Sequence, residues 1–148
     1  MLSAPVLITG AVVAAAGVAY GLKKIPANHL MLASLLGSAF FVASLIHVPI
    51  GFSSAHLILN GLIGAILGAA SFPIIFVALL LQAVLFQFGG FTVLGVNTAT
   101  MGIGAWAAGL IFRWLAGPAT SKNLKIAGFA AGFSGVFISG LLTALALA

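Results

Sequence analysis

The chain of 148 residues is 64% hydrophobic, has five Lys plus Arg with no Asp or Glu, and shows a mean hydropathy of +1.38. A water-soluble domain is roughly a quarter charged, against 3% here, so composition alone places the chain in a membrane. The absence of cysteine excludes a disulfide framework and a thiolate metal site, and the scattered cations form no basic stripe for nucleic acid.

Six apolar segments lie between breakers, at 5–22, 29–46, 56–71, 72–88, 101–115 and 126–147. Strand-like alternation is absent, and a backbone in lipid must satisfy its own hydrogen bonds. An all-α fold is therefore predicted: one transmembrane domain over residues 1–148, with about six membrane helices. The first segment has no basic residue before it and is followed by Lys23 and Lys24. A secretory signal has the opposite order, so this segment reads as a retained helix. Small residues recur at four-residue spacing: Ala11, Ala15 and Ala19, Gly17 and Gly21, Gly64 and Gly68, Gly128 and Gly132. Such spacing lets helices approach closely, by internal packing or by docking to a separate membrane subunit.

The second segment runs into "LIHVPIGFSSAHLILNG", residues 45–61, where His47, His56, Ser53, Ser54 and Pro49 interrupt the apolar chain. His56 is predicted to open the third helix, with Ser54 as its cap. Asn60, four residues on, would then share a face with His56 and Gly64. Gln82 lies inside the fourth segment, where an interhelical hydrogen bond is expected. The following stretch, "FQFGGFTVLGVNTATMG", mixes glycines with aliphatics, Thr92 and Asn97. A re-entrant segment near residues 88–99, lining a cavity, is expected there.

Orientation follows from the positive-inside bias. With the amino terminus outside, Lys23 and Lys24 fall on the cytoplasmic side together with Arg113, Lys122 and Lys125. His29 then sits at the cytoplasmic interface, and the loops at 47–56 and 88–97 share the outer face.

The chemistry is narrowly bounded. No G-x-x-x-x-G-K-[ST] phosphate loop is present. Without carboxylates or thiols, most hydrolytic and redox mechanisms are closed, and so is proton-coupled carriage by a membrane acid. The chain reads as a transport component and not an enzyme. His47 and His56 are candidate metal ligands, because imidazole suits nickel, copper and zinc. A hydrogen-bonded interfacial anchor is the alternative for each. Ser54, Asn60, Gln82 and Asn97 are candidates for an ion path or for support of the loop. Two neutral imidazoles leave a divalent ion at its full charge, which a deprotonated backbone amide with a terminal amine would offset. The rival functions are a small structural or assembly subunit without ion binding, and an ion-independent solute permease.

Four stretches carry a resemblance: "LSAPVL", "FFVASLIHVPIG", "HLILNGLIGAILG" and "LLLQAVLFQFGGFTVLGVNTATMG", spread over residues 2–102. They resemble the CbiM/NikM-type membrane component of energy-coupling-factor cobalt and nickel transporters. The resemblance implies capture of Co2+ or Ni2+ as transported cargo at the outer face of a prokaryotic cytoplasmic (inner) membrane, with no covalently bound cofactor. It implies as partners a transmembrane coupling subunit, cytoplasmic ATPase subunits and a small accessory membrane subunit, and a link to cobalamin biosynthesis. It assigns metal ligation to the histidine opening "HLILNG", which is His56, while His47 matches the family's "IHVP" variant without an assigned role. The other family ligands come from an amino-terminal Met-His, through its amine, amide and imidazole. "MLSAPVL" starts within that motif, so the resemblance implies a chain truncated there, and also at its carboxyl end.

Overall fold

The computed structural model describes residues 2–50, 53–56, 59–87, 90–117 and 120–148, with backbone alone for 47–50 and 53–56. It is a helix bundle with one short hairpin. Helix α1 spans Ala4–Lys23 and α2 Leu30–Ser44; strands β1 (His47–Ile50) and β2 (Ser53–His56) follow. Then come α3 (Asn60–Leu67), α4 (Ser71–Phe86), α5 (Gly90–Ala116) and α6 (Ser121–Leu147). Proline sets several boundaries. Pro5 stands in the first turn of α1, where its missing N–H costs nothing, and Pro26 follows that helix's end.

Five stretches are long and apolar enough to cross a membrane: Ala4–Lys23, Ala27–Ser44, Asn60–Phe86, Gly90–Ala116 and Ser121–Leu147. The third is folded back on itself. At Gly68 the backbone turns to φ +57°, a region that favours glycine, and a short 3-10 turn, Gly68–Ala70, joins α3 to α4. Contacts give the directions. Gly64 lies against Ala105, and Gly68 against Gly109 and Arg113, so α3 runs parallel to α5. Phe72 sits by Gly17 and Gly102, while Phe76 shares a groove with Leu94 and Gly95, so α4 runs against α5. The result is six helical legs in about the number and order read from the sequence.

Helix α5 is the centre, packing on α1, α3, α4 and α6. Its buried face is made of small residues, among them Gly102, Gly104, Ala105, Ala108 and Gly109. A Cβ on Gly64 would overlap the Ala105 carbonyl oxygen, and one on Gly109 would overlap that of Gly64. The helices therefore meet backbone to backbone, as they do in lipid when small residues line the contact. Above this contact Phe40, Ile63, Ile75, Ala78, Leu79 and Ala105 form the apolar core. The four-residue spacings divide accordingly. Ala11, Gly17, Gly21, Gly64 and Gly68 are internal contacts, and Gly132 packs its Cα near Gly61, whereas Gly128 faces open space.

One expectation is corrected. The re-entrant segment near 88–99 is absent from Gly90 onward, where α5 runs unbroken for 27 residues. Gly95 is a contact point and not a break: a Cβ there would press on the backbone of Ala11. A helix that keeps its own hydrogen bonds tolerates glycine in lipid.

Replacing Gly64 with alanine therefore forces α3 off α5, at a cost of about 1–3 kcal/mol. Gly140→Ala enters open space and changes stability by less than about 0.5 kcal/mol. Denaturant unfolding of both variants in detergent checks this, and equal effects would refute the backbone contact.

Candidate functional site

The hairpin joins α2 to α3 at the end of the bundle opposite the cations. Lys23, Lys24 and Arg113 lie at one end, where Gly21 meets Ala69 and Arg113 meets Gly68. Lys122 and Lys125 follow Arg113 across the short connection into α6. At the other end are the hairpin, the start of α1 and the close of α4. There Pro5 and Val6 share a groove with Leu142 and Ala146 of α6.

The two strands are antiparallel, and their register makes His47 the Cα partner of His56. Val48 pairs with Ala55, Pro49 with Ser54, and Ile50 with Ser53. Pro49 disfavours helix for the residue before it and has no N–H for a ladder, which a two-stranded ribbon tolerates. Here two expectations fail. His56 does not open the third helix, and Ser54 does not cap it: both belong to β2, while α3 starts at Asn60 with Leu59 in the capping position. The shared face of His56 and Asn60 is lost with that helix start. Pairing of His47–Ile50 with Ser53–His56 takes His56 into a strand instead.

Asn60 instead becomes the anchor beneath the hairpin. It is 0% exposed. Its Nδ2 donates to the Gly135 carbonyl at 3.0 Å and to Ser139 Oγ at 2.7 Å, both on α6. Its Oδ1 accepts from the Gly61 N–H at 2.8 Å, one of the donors a helix start leaves without a partner. Ser139 Oγ donates onward to the Thr100 carbonyl of α5 at 3.2 Å. One side chain thus ties α3 to α6 and, through Ser139, to α5. Gly135 permits it, since a Cβ there would press on Gly61 Cα at 2.8 Å. Ser139 and Gly135 were not legible as partners of Asn60, because 75 and 79 residues separate Asn60 from Gly135 and Ser139.

The other candidates are spread out. Gln82 Nε2 donates to Ser44 Oγ, joining α4 to the last turn of α2 just before the hairpin. Asn97 is partly buried in α5, where its carbonyl accepts from Thr100 Oγ1 at 3.2 Å. His29 lies in the 3-10 turn Ala27–His29, near Lys23 and Lys24 and away from the hairpin. Two buried hydroxyls, Ser71 Oγ and Thr98 Oγ1, have no hydrogen-bond partner among the described residues. Among the described residues no group of three His, Cys, Asp or Glu side chains comes together.

The whole chain, residues 1–148, matches the family model described as CbiM, cobalt uptake substrate-specific transmembrane region. It is 46% identical over 148 residues to a Haemophilus influenzae protein described as "Putative metal transport protein", covering 99% of this chain and 72% of that one. It is 35% identical over 117 residues to the cobalt transport protein CbiM of Sorangium cellulosum, covering 77% of this chain and 52% of that protein. A crystal structure of a truncated transition metal transporter superposes with a TM-score of 0.72 at 23% identity, over 95% of this chain and 70% of that one. That likeness speaks for the fold.

The anchor makes a measurable claim. Asn60→Ala removes three hydrogen bonds at a buried site and lowers unfolding stability by about 2 kcal/mol or more, against about 1 kcal/mol for Ser139→Ala. Denaturant titration of the two variants gives the order, and a reversed order would displace Asn60 from this role.

Proposed function

The chain belongs to the CbiM family of cobalt uptake substrate-specific transmembrane regions, and on that premise we propose that it captures divalent cobalt or nickel at the hairpin end for uptake. The family is one of metal transport membrane components and not of enzymes. The observation that carries the proposal is the register of His47 opposite His56. Opposed residues of an antiparallel pair have Cβ atoms about 4.5–5.5 Å apart, a spacing suited to two imidazoles on one ion. Asn60 at the start of α3 and Gln82–Ser44 at the end of α2 support the two ends of the hairpin, and Ser54 and Asn97 are the further residues proposed for loop support or an ion path.

The chain has no Asp, Glu or Cys, so imidazoles are its only ordinary metal-binding side chains. They bind as neutral donors, and binding must weaken as pH falls and they take up protons. The ion's charge is then met by donors of another kind, of which a deprotonated backbone amide is one; nitrogen-rich sets of that type suit nickel and cobalt. Since the chain offers no phosphate-binding loop, the energy for uptake comes from separate subunits: a membrane coupling protein and cytoplasmic ATPases, with an accessory membrane subunit. The basic end faces the cytoplasm under the positive-inside bias, which puts the amino terminus and the hairpin outside the inner membrane.

Two measurements test this reading. Chelator-washed protein reloaded with cobalt or nickel should retain metal, less so at lower pH. The His47→Ala, His56→Ala double variant should retain far less at unchanged fold. Equal retention would leave a structural subunit, and uptake without any ATPase partner would leave a permease. Single cysteines test the sidedness. One at Ser53 should react with an impermeant reagent from outside, and one at Ser121 only after permeabilisation; the reverse pattern overturns the capture face.

A further inference from the structure

A second groove lies at the basic end, away from the hairpin. Its volume is about 290 Å³, and it is lined by Val13 and Tyr20 of α1, Ala69 and Phe72 at the α3–α4 turn, and Ile103 and Trp106 of α5. The lining is apolar but for the Tyr20 hydroxyl. Tyr20 and Trp106 are 50% and 42% exposed, so both aromatics border the groove at its opening to the surroundings.

Two cations bracket its basic end. Lys24 follows Tyr20 by four residues at the end of α1, and its Nζ lies 5.5 Å from the centre of the Tyr20 ring, within cation–π range. Arg113 follows Trp106 by seven residues, two turns along the same face of α5. Its guanidinium reaches the Gly68 turn, next to Ala69 in the groove wall. The last turn of α3 ends at that point, and its partial negative charge favours a cation there. Both Lys24 and Arg113 remain exposed. With five Lys plus Arg and no Asp or Glu in the chain, neither has a carboxylate side chain of its own protein to pair with.

We propose that this groove seats one acyl chain of an anionic phospholipid, with Lys24 and Arg113 holding its phosphate-bearing headgroup. The division of labour is chemical: an apolar slot for hydrocarbon with Trp106 along it, Tyr20 near its basic end, and two cations beyond. The charge chooses the occupant. A neutral lipid or an apolar helix would fill the groove and leave both cations without an anion. The site is independent of the metal reading, since it shares no residue with the hairpin.

The chain has two tryptophans, so a Trp114→Phe background leaves Trp106 as the reporter in the groove. The protein is placed in phosphatidylcholine vesicles with a minor share of phosphatidylglycerol, brominated on the acyl chains of one lipid at a time. Brominated phosphatidylglycerol should quench Trp106 several-fold more per mole than brominated phosphatidylcholine. Lys24→Gln with Arg113→Gln should weaken that preference by on the order of tenfold. Lys122→Gln with Lys125→Gln removes the same charge from the same end and should leave the preference intact. Equal quenching by the two lipids would mean unselective contact, and quenching by neither would give the groove to a partner helix. Equal loss in both double variants would mean diffuse surface attraction. Each of these three results overturns the proposal.

Discussion

A helix that starts inside an apolar bundle leaves backbone N–H groups with no water to meet them, and α3 starts there. Asn60 resolves this by accepting from Gly61 N–H with its own carbonyl oxygen, while its amide nitrogen spends both hydrogens on α6. That arrangement lets α3 start at Asn60, after the paired strands His47–Ile50 and Ser53–His56 at one end of the bundle. A buried amide is tolerated because all three of these bonds are made; an unmet one would cost about 1–3 kcal/mol.

The same economy governs packing. Lipid tails are as apolar as leucine, so helices in a bilayer gain little from burying large side chains and more from close backbone approach. Helix α5 answers with glycine and alanine on its buried face, and α3 and α6 press glycines against it. Large apolar residues are turned outward instead: Phe129 is 78% and Trp114 82% exposed. This inversion of a soluble core is what a bilayer asks of a bundle, with polar bonds such as Gln82 to Ser44 closing contacts between legs.

The fold separates its two ends chemically. One end has the hairpin with its paired histidine positions, and the other has all five of the chain's Lys and Arg residues. A cation approaching the hairpin end is therefore farthest from the like charges of the same chain, with the bundle between them. The basic end is left to interactions with anions, whether of lipid or of partner subunits.

Much of this was legible in the residues. Hydropathy and the missing acids were enough for a membrane bundle, because they are sums over the chain and need no geometry. Charge order along the chain placed Lys23, Lys24 and Arg113 at one end, and helix counting placed residues 47–56 at the other. What the residues did not disclose was local competition and distant partnership. His56 reads as a helix start by the apolar run after it, yet "SSAH" pairs with "HVPI" and takes His56 into a strand, and that pairing is a contact between segments. Gly95 reads as an interruption, although in α5 it is a meeting point with Ala11, as Gly104 and Gly109 are with α6 and α3, and such contacts exist only once those helices are in place. Asn60 looked like a companion of His56 because four residues is one helical turn. Its actual partners lie on α6, where only the folded bundle brings Gly135 and Ser139 within reach.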